Sequence, residues 1–225
     1  MKTYLIAGHK QGGGEGAQNL NTKETENMIT RVLLPQVQEV IDSELCPINT
    51  SLGQKISWIN ARAGQEDFNL SCHLNSSGGR QEKGAMCYYY GGSEASKQMA
   101  IKFLKAYCDA TGIKNTGVRP DTSSRFGRLG VVRDTIGWTI LLELGSINND
   151  LETVKEKGVA GMIAGLRSVL DIEDPEDPKN MLTEWQVESW GKALNKGIAT
   201  ENSIPTEGLT KADFFVYMDR IGLLD

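Results

Sequence analysis

The 225-residue chain contains only two histidines and four cysteines, and it has no long run of apolar residues. No apolar stretch is long enough to span a membrane, and the apolar run near the start is too short for a secretory signal peptide. We therefore expect a protein that is made in the cytoplasm without a signal peptide and has no membrane partner. The cysteines show no CxxC spacing, which predicts buried thiols rather than a disulfide or metal framework.

An excess of positive charge is also missing. The chain has 24 lysines and arginines against 29 acidic residues, a formal net charge of -5, and no basic stripe. Because nucleic-acid-binding proteins usually carry a basic patch, we expect no nucleic-acid partner. Apolar residues make up 39% of the chain, which is enough to form a substantial core.

Short apolar runs alternate with longer segments of helical periodicity. This alternation predicts an α/β fold with a mostly parallel sheet that is covered by helices on both faces. Pro35 lies inside the first helical pattern and should kink or split that helix. The predicted strands are 3–7, 55–61, 67–72, 85–90, 129–133 and 139–144, and the predicted helices are 23–43, 93–111 and 152–170.

The last quarter of the chain differs from the rest. Residues 171–178 are acidic, contain two prolines and have the character of a linker. This boundary predicts one domain over residues 1–174 and a small helical module over residues 180–225. About 45 residues is near the lower limit for independent folding. We therefore expect the module to dock on the first domain or to self-associate, which would make a homo-oligomer.

Both histidines follow a predicted strand. His9 comes after the run 3–7, and His73 comes after the run 67–72. Ligands bind at the carboxyl ends of the strands in open α/β sheets, and imidazole nitrogen is a common zinc ligand. We therefore expect both histidines to bind a catalytic zinc ion, which typically has three protein ligands and keeps one position for water.

A carboxylate at the start of the first helix is the expected third ligand, and two residues compete for this role. Asn21 is a good N-cap residue, and Glu24, three residues later, is at the partner position of a capping box. Glu26 points to the opposite side of the helix, because consecutive residues turn by about 100°. Only one of them can face the site, and the spacing alone does not choose between them.

A third apolar run, Thr139–Leu142, ends in Glu143. A carboxylate at such a position is costly unless it is paired or has a chemical task. The structural alternative is a carboxylate that accepts from backbone amides or pairs with Arg133. Metal-dependent hydrolysis needs a base that takes a proton from water and returns it to the leaving group. We expect Glu143 to be this base.

Four blocks of sequence follow one another along residues 2–170. They are Ala7–His9 with the glycine run and Gly16-Ala17 that follow it, Glu26–Arg31, Ser71–Ser76 and Leu142–Asn149. Together these blocks resemble the zinc-dependent N-acetylmuramoyl-L-alanine amidases of the amidase_3 family, which includes many phage endolysins. Within this resemblance, the pair Thr30-Arg31 of the second block favours Glu26 over Glu24 as the zinc ligand.

The resemblance implies a single α/β domain built on a mixed, mostly parallel six-stranded sheet that is flanked by helices. It also implies hydrolysis of the amide bond between N-acetylmuramic acid and L-alanine of the stem peptide, with bacterial peptidoglycan as the partner. A phage or prophage endolysin that acts on the cell wall after release is the implied biological role. The implied site residues are His9, Glu26 and His73 for zinc, Glu143 for proton transfer, and Asn75 and Arg133 for substrate binding.

Other readings of the same residues are open. A different zinc-dependent peptidase or deacetylase would use the same metal centre, and an inactive wall-binding module would keep the fold without the reaction. The segments Trp190–Ile198 and Leu209–Phe215 are similar to one unit of the S-layer-homology type. This similarity favours wall binding by the C-terminal module, whereas a helical hairpin would favour dimerisation.

Overall fold

A computed structural model of the chain describes residues 1–10, 14–76 and 83–170. The described elements are β1 (Thr3–Ala7), α1 (Glu26–Gln38), β2 (Glu44–Leu45), α2 (Leu52–Asn60), β3 (Phe68–Asn75), β4 (Ala85–Tyr89), α3 (Glu94–Thr111), β5 (Asn115–Pro120), a short 3-10 helix (Asp121–Ser123), α4 (Gly130–Arg133), β6 (Trp138–Ser146) and α5 (Leu151–Leu170). No helix among these residues is both long and apolar enough to cross a membrane.

The described strands form one six-stranded sheet in the order β2-β1-β3-β6-β4-β5. All neighbouring strands are parallel except β4 and β6, which pair antiparallel. The expected mixed, mostly parallel sheet flanked by helices is therefore confirmed. Because β1, β3 and β6 are adjacent and run in the same direction, the residues at their carboxyl ends meet at one edge of the sheet.

Two apolar layers cover the sheet because side chains alternate between its faces. In β1, Leu5 and Ala7 join the larger core with α1, α3 and α5, whereas Tyr4 and Ile6 join a smaller core with α2 and α4. His73 and Glu143 alternate with residues of the larger core, so they project from the face with the smaller core. The thinner helical cover on this face leaves room for a cleft.

Two of the predicted strands are wrong. Residues 55–61 fall largely in the helix α2, which begins with a capping box between Ser51 and Gln54. Lys55 and Ile59 are its buried residues and are four positions apart, which is helical rather than strand spacing. Residues 129–133 fall in the helix α4, where the consecutive residues Val131 and Val132 are both buried on the same side of the sheet.

Two strands of the sheet were missed. β2 has only two residues, and β5 is an edge strand whose sequence Asn-Thr-Gly-Val-Arg-Pro has one aliphatic side chain. An edge strand needs little apolar surface, so its sequence carries a weak strand signal. The helix α1 is also shorter than the predicted 23–43, and it continues through Pro35 to Gln38 rather than splitting there.

The acidic linker and the C-terminal module over 180–225 lie outside the described residues. The two-domain division, the homo-oligomer and the wall-binding role of this module therefore stay predictions. The described part of the predicted first domain ends with α5 at Leu170.

Candidate metal centre

His9 lies in the turn that follows β1 and has an unusual backbone conformation. Its φ angle is +56°, in the left-handed region that residues other than glycine rarely adopt. Lys55 is buried below this turn, and its Nζ donates to the carbonyl oxygens of Ala7 at 2.6 Å and His9 at 2.5 Å. Burial lowers the pKa of Lys55. These two hydrogen bonds clamp the turn that presents the His9 imidazole to the site.

Glu26 is the first residue of α1, and the Thr25 hydroxyl caps this helix by accepting from the amide of Met28 at 3.4 Å. The Glu26 side chain is buried, and its Oε2 accepts from the amide of Ala17 at 3.0 Å. This bond fixes the carboxylate and directs Oε1 towards the two histidines. The predicted cap at Asn21 with Glu24 as its partner is therefore wrong, since the helix begins later.

Glu24, the competing carboxylate, has another partner. It pairs with Lys155 of α5 at 2.9 Å, and Lys155 lowers the pKa of Glu24 through this hydrogen bond. Among the described residues, the cluster of potential metal ligands contains Glu26 and not Glu24.

The side chains of His9, Glu26 and His73 converge at one point. Glu26 Oε1 lies 2.6 Å from His73 Nδ1 and 3.2 Å from His9 Nε2, and the three ligand atoms are all within 4.8 Å of one another. Ligand atoms about 2.0–2.1 Å from a tetrahedral zinc ion are roughly 3.3 Å apart. Oε1 makes no well-directed hydrogen bond to any described residue although it is buried. Two imidazoles and one carboxylate with a buried, unsatisfied oxygen fit a zinc ion.

The charges of these groups are strongly coupled. Burial alone would raise the pKa of Glu26, but the neighbouring His73 and His9 lower it to about 2. Burial alone would lower the pKa of His73, but Glu26 raises it. The Glu26 carboxylate therefore stays ionised over the whole physiological pH range, as a metal ligand must.

Glu143 lies beside this centre on the neighbouring strand. It pairs with His73 in the register of β3 and β6. Its Oε2 is buried and has no hydrogen-bond partner among the described residues. Burial raises the pKa of Glu143 to about 7, against the opposing charge of His73. The structural alternative of pairing with Arg133 is wrong, because Arg133 pairs with Asp121.

A cleft of about 910 Å³ opens over these groups. Its lining includes the candidate metal ligands and Glu143. Asn75, Tyr88 and Arg119 are also among the lining residues. Large clefts that contain titratable groups with perturbed pKa values are typical of active sites. The arrangement can therefore hold a divalent metal ion and place a carboxyl group with a near-neutral pKa beside it.

The model of the amidase_3 family of N-acetylmuramoyl-L-alanine amidases matches residues 4–157. The chain belongs to this family. The matched range includes the three potential metal ligands and Glu143. No protein with a curated description matches the sequence.

Solved structures of N-acetylmuramoyl-L-alanine amidases share the fold. The catalytic domain of CwlV from Bacillus (Paenibacillus) polymyxa var. colistinus is 26% identical with a TM-score of 0.62, over 77% of this chain and 100% of that chain. An amidase from Clostridium difficile 630 is 16% identical with a TM-score of 0.64, over 77% and 98% of the two chains. The catalytic domain of the CD27L endolysin, which targets Clostridia difficile, is 23% identical with a TM-score of 0.58, over 76% and 97%.

The two residues predicted to bind substrate in this amidase_3 fold occupy different places. Asn75 ends β3 and lines the cleft beside His73. Arg133 does not line this cleft. Its guanidinium donates to both carboxylate oxygens of Asp121, at 2.8 and 2.9 Å, and lies 4.9 Å from the centre of the Tyr90 ring. Arg133 therefore supports the segment after β5 rather than reaching the metal centre.

Three cleft-facing or supporting residues of this family member were missed from the sequence. Lys55 gives no sequence signal, because a lysine within an apolar pattern is usually exposed. Arg119 and Arg125 line the cleft from β5 and from the loop that follows it. Recognising β5 as a strand would have placed Arg119 on the same sheet as Glu143.

Proposed function

We propose that the chain is a zinc-dependent N-acetylmuramoyl-L-alanine amidase that cleaves the amide bond between N-acetylmuramic acid and L-alanine in bacterial peptidoglycan. The observation that carries this proposal is the convergence of Glu26 Oε1 with His9 Nε2 and His73 Nδ1. Beside them lies Glu143, whose buried Oε2 has no hydrogen-bond partner among the described residues. Membership of the amidase_3 family supports the choice of bond.

His9, Glu26 and His73 would hold the zinc ion and leave one position open, as catalytic zinc sites do. When bound, Zn²⁺ supplies a Lewis acid that polarises a carbonyl group and activates water. The hydrogen bond from the Ala17 amide to Glu26 Oε2 orients this ligand, and the clamp by Lys55 orients His9. Such supporting contacts typically contribute about 10–100-fold to metal affinity.

Glu143 would move the proton. Its carboxylate accepts a proton from the water that attacks the scissile carbonyl carbon, and it then donates this proton to the alanine nitrogen as the carbon–nitrogen bond breaks. A group works best in both steps when its pKa lies near the working pH. Burial raises the pKa of Glu143 to about 7 in the metal-free chain, and this effect would offset part of the lowering that the charge of a bound Zn²⁺ ion causes. Asn75, which lines the cleft, would contribute an amide group to substrate binding.

The biological role as a phage or prophage endolysin, made in the host cytoplasm and released to the wall, stays a prediction. The fold is shared with the catalytic domain of the CD27L endolysin and equally with other N-acetylmuramoyl-L-alanine amidases. The fold therefore does not choose between a lysis enzyme and a wall-remodelling enzyme.

Digestion of purified cell walls tests the proposal. The full chain is freed of metal with a chelator, reloaded with zinc and incubated with walls, and the new chain ends are identified. We expect new amino groups on L-alanine with zinc and none with the chelator. His73→Ala should lose bound zinc and activity together, because two remaining ligands hold zinc weakly.

The same digestion separates the alternatives. New amino ends on residues other than the first alanine would identify a peptidase, and released acetate would identify a deacetylase. Binding to walls without any new ends would identify a binding module. Each of these results would overturn the proposed reaction, and full activity of a metal-free protein would overturn the zinc site.

A further inference from the structure

Several cations line the cleft in addition to the candidate metal ligands. Lys83, Arg119 and Arg125 face the cleft, whereas its acidic residues, among those described, are Glu26 and Glu143 at the metal centre. The whole chain carries a net charge of -5. A cleft wall of opposite sign in an acidic protein attracts an anionic ligand.

Among the described residues, other arginines close to these positions have acidic partners. Nearby, Arg128 pairs with Asp134 and Arg133 pairs with Asp121. In the part of the chain that the structure describes, neither Arg119 nor Arg125 forms a salt bridge. The Arg125 guanidinium lies 4.8 Å from the centre of the Phe126 ring. Stacking on an aromatic ring leaves the edge of a guanidinium group free to bind a carboxylate through two hydrogen bonds.

The register of the sheet sets the distance between these arginines and the reaction. Arg119 pairs with Tyr88 across β5 and β4, and Tyr88 pairs with Leu141 across β4 and β6. Glu143 lies two residues farther along β6. With about 4.8 Å between strands and about 3.4 Å per residue, the Cα atoms of Arg119 and Glu143 are roughly 12 Å apart. An extended peptide spans about 3.3–3.6 Å per residue, so an arginine side chain in this place reaches a group one or two residues from the scissile bond.

The chemistry of the substrate decides on which side of the scissile bond this group lies. The carboxyl group of muramic acid is consumed in the scissile amide, and the acetylated glycan is otherwise neutral. The negative charges are therefore on the stem peptide, where the residue after the first alanine is a glutamate. We propose that Arg119 and Arg125 bind the free α-carboxylate of this glutamate, so that the cleft selects an acidic stem peptide over one in which this carboxylate is amidated. This inference rests on the proposed function.

Two synthetic muramoyl tetrapeptides test the inference. They differ only in the second residue, which carries either a free α-carboxylate or the α-carboxamide. The zinc-loaded full chain is compared with Arg119→Gln, Arg125→Gln and the double variant, and release of the alanine amino group gives kcat/KM. We expect the wild type to prefer the carboxylate form by about 10-fold or more, since hydrogen bonds to charged groups are the strong ones. The preference should weaken as salt is added.

The matched control is Arg128→Gln, which removes an arginine of the same loop that pairs with Asp134 and does not line the cleft. It should keep the preference, and the double variant should lose it by cleaving the two substrates with similar kcat/KM. Equal kcat/KM of the wild type for both substrates would overturn the inference, as would a preference that survives in the double variant. If the wild type cleaves neither substrate, the proposed function itself fails, which is a distinguishable result. Bound zinc and the melting temperature show that each variant is folded.

Discussion

The two oxygens of the Glu26 carboxylate have different partners. Oε2 accepts from the backbone of Ala17, and Oε1 faces the two imidazoles. We expect Glu26→Gln to bind zinc at least about 10-fold more weakly, because the charged ligand atom is lost. Glu24→Gln should keep full zinc affinity, since it removes only a surface pair with Lys155, worth about 0–1 kcal/mol. Competition with a coloured chelator measures both affinities. Loss of zinc from the Glu24 variant alone would show that Glu24, and not Glu26, is the zinc ligand.

The raised pKa of Glu143 suits its proposed role in proton transfer but lowers the stability of the folded chain. Its pKa is about 7 in the folded chain and about 4.3 in an unfolded one. The folded state therefore keeps its proton to higher pH than the unfolded state does. The wild type then loses stability as the pH rises between these two values, by about 1–3 kcal/mol. In zinc-free protein, Glu143→Gln should become progressively more stable than the wild type from pH 5 to pH 8.

Urea unfolding at several pH values measures this difference, and a difference that does not change with pH would contradict it. Glu24→Gln provides a control, because Lys155 lowers the pKa of Glu24 and the stability from the ionised pair is lost only at pH values below the usual pKa of a glutamate. Its difference from the wild type should therefore stay nearly constant from pH 5 to pH 8. In the zinc-loaded enzyme, Glu143→Gln should retain its metal and slow turnover by at least about 10²-fold, the usual contribution of a positioned proton-transfer group.

The residues at the ends of buried strands could be predicted from the sequence, because a polar side chain directly after an apolar run has few structural explanations. His9, His73 and Glu143 are of this kind. Lys55 could not be predicted, since its role depends on the carbonyl groups of a turn distant in sequence. The resemblance implies a substrate-binding role for Arg133, whereas the guanidinium of Arg133 pairs with Asp121 and does not line the cleft.

At the scale of elements, the loop between β1 and α1 must pass close to the metal ligands. A Cβ atom on Gly16 would lie 2.4 Å from Glu26 Oε2 and 2.6 Å from His9 Cδ2, and the φ angle of Gly16 is +83°. Gly14 in the same loop has a φ angle of +77°, but a Cβ atom there would meet no atom of the described residues within 4 Å. The two glycines therefore separate the effect of backbone strain from that of the close approach.

We expect Gly14→Ala to cost about 1–2 kcal/mol of stability through the left-handed backbone. It should weaken zinc binding less than Gly16→Ala does, because Gly14 contacts the candidate ligands only through its carbonyl oxygen, 3.1 Å from His9 Nδ1. Gly16→Ala should cost a similar strain and also displace Glu26 or His9, which weakens zinc binding by at least about 10-fold. Calorimetric titration with zinc, together with thermal unfolding of the metal-free proteins, resolves the two effects. Equal zinc affinities in the two variants would show that the loop does not constrain the ligands.

How well a strand can be predicted from the sequence depends on its position in the sheet. The central strands β1, β3 and β6 are buried on both faces, so continuous apolar runs reveal them. The edge strand β5 carries Arg119 and Asn115 and gives no such signal. Since β5 forms one wall of the cleft, the candidate metal ligands could be predicted from the sequence but the arginines that line the cleft could not.

At the scale of the molecule, the described residues enclose a core of their own. Its buried residues extend from β1 to Val169 in α5, and the long helices α3 and α5 pack closely through Gly161 and Gly165 against Tyr107 and Phe103. Truncation after Asp174 should therefore leave a folded, zinc-binding hydrolase. We expect weaker lysis of intact cells and near-normal cleavage of soluble fragments, if the removed module binds wall.

Wall pull-down and light scattering of the two forms test this prediction. Equal wall binding and an equal number of chains per particle in the full-length and truncated forms would show that the C-terminal residues have no role in binding or self-association. An unfolded truncated protein would show that the division after residue 174 is wrong.

All four cysteines lie inside the apolar layers of the sheet. Burial raises the pKa of each thiol, for Cys108 to about 11, so the reactive thiolate is scarce at neutral pH. A colour-forming disulfide reagent should find no reactive thiol in the native protein and four after unfolding. The enzyme would then keep its catalytic rate in reducing and oxidising surroundings alike. It would need neither a reductant to stay active nor an oxidant to fold, so its activity would not depend on the redox conditions around it.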